Sequence, residues 1–189
     1  MSGPKPSWNW AGEFRNLAKA YLIDANVFVQ AKNLHYRFEF CGGFWNWIEA
    51  AHDAGLVYSV AKVRAELIAG RKGDAARTWA EQLPGSFFLE DAGDPKVMAH
   101  YATLMAWATS GGQYTAAAIN QFADDKNADA FIVAAARERG DFVVSHEKSI
   151  PAAKSRIPLP NAADAIGVKT MTIFDLLSKH AASTFVFKP

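Results

Sequence analysis

Short apolar runs set apart by long stretches of helical spacing constrain this chain more than any other feature. Ala20 to Asp24, Leu56 to Val60, Phe87 to Leu89 and Phe142 to Ser145 each read as a strand. Between them lie segments with apolar residues three and four apart. Phe44 to Ala54 carries Trp45, Ile48 and Ala51 on one stripe and stops at Gly55. Val60, Val63 and Leu67 give the same spacing over 61–69, followed by Ala75 to Leu83, Pro95 to Thr109, 114–122 and 127–139. The tail adds a Pro-rich stretch around Pro151, Pro158 and Pro160, a segment near 161–167, a strand at 168–172 and a helix from Ile173 to His180. Helical crossovers of a dozen or more residues are the connections that parallel strands require. The alternation therefore predicts one parallel, doubly wound sheet.

The bulk properties narrow the class. A chain of 189 residues suits one α/β domain. Residues 1–19, with Trp8 and Trp10, read as an irregular lead-in, and 20–189 as the domain. Half of the residues are hydrophobic and 13% aromatic, which excludes a disordered chain. A formal charge of +1 neither demands nor excludes a polyanionic partner. One cysteine, Cys41, excludes an internal disulfide framework and fits a reducing compartment. No apolar run approaches the ~20 residues of a membrane span, and Met1 to Asn9 lacks the apolar core of a secretory signal. The expectation is a soluble cytoplasmic protein that does not enter a membrane.

Four carboxylates stand at element boundaries. Asp24 ends the first strand, where open α/β sheets bind ligands. Glu66 follows the second strand, beside the apolar stripe of its helix. Asp129 lies in Ala128-Asp129-Ala130-Phe131-Ile132-Val133-Ala134-Ala135-Ala136, a helix so apolar all round that it must be buried. Glu147 follows the fourth strand. Asp125 is four residues before Asp129 and shares its face if the helix extends that far. Buried carboxylates need a counter-charge, and no lysine or arginine is embedded in these motifs. A hard divalent cation such as Mg2+ or Mn2+ would supply it and would bring the chemistry of phosphodiester hydrolysis.

Ile23-Asp24-Ala25-Asn26, Ala65-Glu66-Leu67, the 128–136 run and Val143-Val144-Ser145-His146-Glu147 occur in that order. Together they resemble the PIN-domain ribonucleases, in particular the VapC-like toxins of toxin–antitoxin pairs. The resemblance implies a three-layer α/β/α sandwich with a central parallel sheet of four to five strands. It implies a metal-dependent endoribonuclease whose metal site is Asp24, Glu66, Asp129 and Glu147; the spacing of Asp125 to Asp129 makes it a candidate auxiliary ligand. It further implies an RNA substrate, a cognate antitoxin and a homodimer. The chain departs from the family at Ser145-His146-Glu147, where a Thr-Arg-Asp-like motif is usual. It is also longer through 30–45, 70–122 and 150–160.

Plainer readings stand beside these. Asp24 and Asn26 can cap the next helix, and Asp124 and Asp125 can cap the N-terminus of the helix that carries Asp129. Ser145 can orient a carboxylate or a phosphate, or simply end a strand, and His146 reads as an ordinary loop histidine. Trp45, Trp47, Trp79 and Trp107 read as core. Lys32, His35, Tyr36 and Arg37 interleave charge with aromatic rings as single-strand RNA binders do, or form a plain exposed loop. At the level of function, the alternatives are a non-catalytic PIN-like binding module and another acidic-site phosphohydrolase. Haloacid-dehalogenase-type phosphatases need Asp-x-Asp after the first strand, and this chain has Asp24-Ala25-Asn26.

Overall fold

A computed structural model describes residues 19–181. Among these residues five strands form the sheet: β1 (Tyr21–Ile23), β2 (Val57–Val60), β3 (Phe88–Leu89), β4 (Phe142–Val144) and β5 (Thr170–Met171). Among the described residues there are nine α-helices: α1 (Ala25–Gln30), α2 (Gly42–Asp53), α3 (Ala61–Ile68), α4 (Ala75–Gln82), α5 (Pro95–Ser110), α6 (Ala116–Phe122), α7 (Asp129–Arg139), α8 (Leu159–Ala165) and α9 (Ile173–His180). The strand order is β3-β2-β1-β4-β5, and every pairing is parallel. Leu22 lies opposite Tyr58 on one side and Val143 on the other.

Successive strand residues point to opposite faces, yet Tyr21, Leu22 and Ile23 are all buried. Both faces of the central strand are therefore covered, as parallel sheets require. This is the three-layer α/β/α sandwich with a central parallel sheet that the motifs lead one to expect, at the upper end of the expected strand number. Helix α7 explains its own composition. Ala130 to Ala136 are buried without interruption, because the helix packs on β2 and β4 and is itself covered by α5 and α8. Gly140 ends it at φ 72°, a left-handed conformation that a Cβ would strain.

The strand order reverses at β1. The chain steps outward from β1 to β2 and β3, then returns to the other side of β1 with β4. The carboxyl ends of β1 and β4 thus flank the switch point, the place where such sheets open a crevice for ligands.

Several expectations from the sequence are corrected locally. Helix α2 begins at Gly42, two residues before Phe44, and residues 31–35 form a π-helical turn continuing α1 where a plain loop is the alternative. The Pro-rich tail holds a true helix, α8, because Pro160 falls in its first turn, where a missing N–H costs nothing. Helix α7 starts at Asp129, not 127. The lead-in, with Trp8 and Trp10, lies outside the described residues. No helix among the described residues is long and apolar enough to cross a membrane.

Candidate active site: an acidic crevice at the sheet switch point

Asp24 follows β1 directly and is only 3% exposed. It occupies the N-cap position of α1, but its side chain makes no capping bond. Instead Ser145, just past β4, donates from Oγ to Asp24 Oδ2 at 3.0 Å. The same Oγ accepts from Asn26 Nδ2 at 2.9 Å and from the Glu147 backbone N–H at 3.1 Å. One donation and two acceptances saturate a hydroxyl, so Ser145 is fixed and fixes Asp24 in turn. Asn26 is not a cap either: its Oδ1 accepts from the His146 backbone N–H at 3.1 Å, tying the start of α1 to the loop after β4.

Asp129 enters from the first turn of α7, which begins at the same edge of the sheet. Its backbone N–H donates to Asn127 Oδ1 at 2.9 Å. Glu66 reaches across from α3 and accepts the Ala128 N–H at 2.8 Å through Oε1. The residue is exposed overall, yet one carboxylate oxygen is turned inward to satisfy an N–H that the helix start leaves unpaired. Glu147 is anchored by Oε2, which accepts from the Leu159 N–H at 3.0 Å and from Arg156 Nη2 at 3.3 Å.

Electrostatics place these four groups in one neighbourhood. Burial pushes Asp24 up to about 7 against the downward pull of Ser145, and the charges of Glu66 and Glu147 raise it further. Asp129 is pushed up to about 8, by burial first, then by Asp24, Glu147 and Glu66; Arg156 pulls the other way. Burial also raises Glu66, partly offset by the Ala128 hydrogen bond. Burial and His35 hold His146 below the usual imidazole value. Asp129, Glu147, Arg156, Asn127 and Gln121 line a small polar pocket of about 90 Å³, room for several waters or a hydrated ion.

Of the five acidic residues expected at the site, the structure draws Asp24, Glu66, Asp129 and Glu147 together and leaves Asp125 apart. The reason is the start of α7: Asp125 lies in the turn before it, exposed, near the Tyr101 hydroxyl, which burial first and then this charge push up. Asp124 holds that turn through the Lys126 N–H rather than capping a helix. The expected lack of a counter-charge also needs correction. Arg156, nine residues beyond Glu147, folds back over the acids, and its distance from every motif hid it in the sequence. Asn127 was equally missed; an Asn two residues before a helix-starting Asp is the signal that would have found it.

The donor set is all oxygen and anionic, the chemistry that suits Mg2+ or Mn2+. As the side chains stand, no three His, Cys, Asp or Glu residues among those described are gathered tightly enough to grip an ion.

An α/β/α sandwich with a carboxylate-lined crevice at the reversal of strand order defines the class. The chain belongs to the family described as "Domain of unknown function (DUF4411)", whose model matches residues 21–184. Among solved structures it is similar to one described as the crystal structure of FitAcB from Neisseria gonorrhoeae. The two share 20% identity at a TM-score of 0.48, over 79% of this chain and 95% of that one. No curated protein matches the chain in sequence.

Proposed function

We propose that this chain is a metal-dependent endoribonuclease acting on RNA phosphodiester bonds, the toxin of a toxin–antitoxin pair. One feature carries the reading: carboxylates from four separate elements stand near enough at the sheet's switch point for their charges to act on one another, with Asp24 and Asp129 pushed far above their ordinary range by burial first and by that repulsion second. Unpaired, such a cluster only destabilises the fold, and a cation relieves it. The motif order of the PIN-domain ribonucleases supports the same reading, together with a cognate antitoxin and a homodimer.

Asp24, Glu66, Asp129 and Glu147 would hold Mg2+ or Mn2+, which when bound supplies Lewis-acid activation of the phosphodiester and of water. The chain's own part is positional. Ser145 aims Asp24, and Asn127 fixes the backbone of Asp129. Glu66 and Glu147 each commit one oxygen to the α7 and α8 starts, leaving Glu66 Oε2 and Glu147 Oε1 for the crevice. Arg156 stands beside Glu147, where a phosphate would meet a positive group.

The test is cleavage of a fluorescent single-stranded RNA by the full chain with Mg2+, with Mn2+ and with EDTA, beside Asp24→Asn and Asp129→Asn. The reading predicts cutting with either metal, none with EDTA and none by the variants. A second reading, a non-catalytic binding module, draws on the loose gathering of the acids noted above. Metal or RNA binding without any cutting would favour it.

A further inference from the structure

The charged and aromatic stretch at 32–37 does not survive as a basic strip. Lys32 is paired with Asp74, and Arg37 with Glu39 at 3.4 Å. Tyr36 stacks on Phe44 at 4.3 Å, within the fold. His35 alone is left, exposed, at the end of the π-helical turn. Such turns recur at functional sites. Its ring does not stand by itself. It meets the Phe174 ring at 5.6 Å and the His146 ring at 6.4 Å, and His146 and Phe174 meet at 5.5 Å.

Three rings from three distant segments thus form one shelf. Phe174 is 44% exposed, while its neighbours Ile173 and Leu176 carry the core contacts of α9. A single exposed apolar side chain means little. Here, however, the shelf is fixed relative to the acidic crevice. The His146 N–H bonds Asn26, Asn26 bonds Ser145, and Ser145 bonds Asp24. The backbone that carries the His146 ring is therefore tied to the strand ends that carry the acidic residues.

We infer that His35, His146 and Phe174 form a subsite that stacks an unpaired nucleobase of the RNA whose phosphate occupies the acidic crevice. The inference rests on the nuclease reading. Rings favour a base over a protein segment because every base offers a π-face, and with Lys32 and Arg37 already paired, stacking is what this side of the crevice offers.

The experiment measures binding of a fluorescein-labelled decameric single-stranded RNA to the full chain carrying Asp129→Asn, which keeps the RNA intact and removes one of the charges that repel its phosphate. Phe174→Ala, His35→Ala and Phe174→Trp are added on that background. Each is repeated with decamers made abasic at successive positions. Stacking is worth about 1–3 kcal/mol per base, so Phe174→Ala should weaken binding roughly 5- to 150-fold. Phe174→Trp should retain affinity. One abasic position should weaken the parent equally and leave Phe174→Ala unmoved. Unchanged affinity in Phe174→Ala, or equal losses at every abasic position, would overturn the subsite. So would unchanged RNA affinity with a lower sedimenting mass, which would make the shelf a contact between copies. Cleavage by the chain without Asp129→Asn separates the two claims. If it cuts RNA while Phe174→Ala binds normally, the subsite alone falls. If it neither cuts nor binds RNA, the nuclease reading falls with it.

Discussion

Ser145 Oγ donates to Asp24 Oδ2 across 3.0 Å, and these residues close the two strands, β4 and β1, that flank the reversal of strand order. The bond joins fold to site: it aligns a buried carboxylate using the strand that pairs with its own. Ser145→Ala should leave Asn26 Nδ2 and the Glu147 N–H without their acceptor and Asp24 without its donor. A stability loss of about 1–3 kcal/mol is expected by denaturant unfolding. Calorimetry should show Mn2+ affinity falling roughly 10- to 100-fold, the usual cost of losing a group that orients a ligand.

The raised carboxyls predict an unusual pH dependence without metal. Asp24 and Asp129 rise from 3.8 to about 7 and about 8, so between these limits the unfolded chain releases protons that the folded chain keeps. Their contribution to stability is therefore full below pH 4 and falls as pH rises toward 8. Asp129→Asn should flatten that fall and raise the apo melting temperature at pH 8, by about 2–4 °C per kcal/mol recovered. Thermal unfolding from pH 5 to pH 8.5 reads both effects.

Glu66 offers a separation of structure from chemistry. Its Oε1 accepts the Ala128 N–H, and an amide oxygen can do the same. Glu66→Gln should keep the melting temperature near that of the parent while weakening Mn2+ binding. Glu66→Ala should lose both, with a stability cost of about 1 kcal/mol for the missing cap.

Arg156 is the cation that opposes the acids. Removing it as Arg156→Gln should raise Asp129 further and tighten Mn2+ binding, because a repelling charge is gone. RNA cleavage should nonetheless slow, since the phosphate loses its positive partner. Opposite movements of ion affinity and cleavage rate are the signature to look for.

The order of strands and helices was legible because each strand is a short apolar run and each helix a periodic one. The acidic residues were legible because carboxylates at strand ends and in an apolar helix cannot be accounted for by packing. What stayed hidden depends on tertiary closure. Arg156 sits in a Pro-rich stretch with no local pattern, and only folding brings it to Glu147. Asp125 has the helical spacing to Asp129, but Asn127 starts α7 later than the spacing suggests. The shelf of His35, His146 and Phe174 joins residues as far apart as the first and last helices, a pairing no single segment encodes.

The most direct test of the acidic crevice as a cation site is a calorimetric titration of the full chain with Mn2+ at pH 7, repeated in buffers of different ionisation enthalpy. Asp24 at about 7 and Asp129 at about 8 are partly protonated there, and a bound cation must displace those protons. The account predicts saturable binding with release of roughly one to one and a half protons per ion, abolished in Asp24→Asn and Asp129→Asn. Binding without proton release, or binding that both variants leave intact, would contradict it.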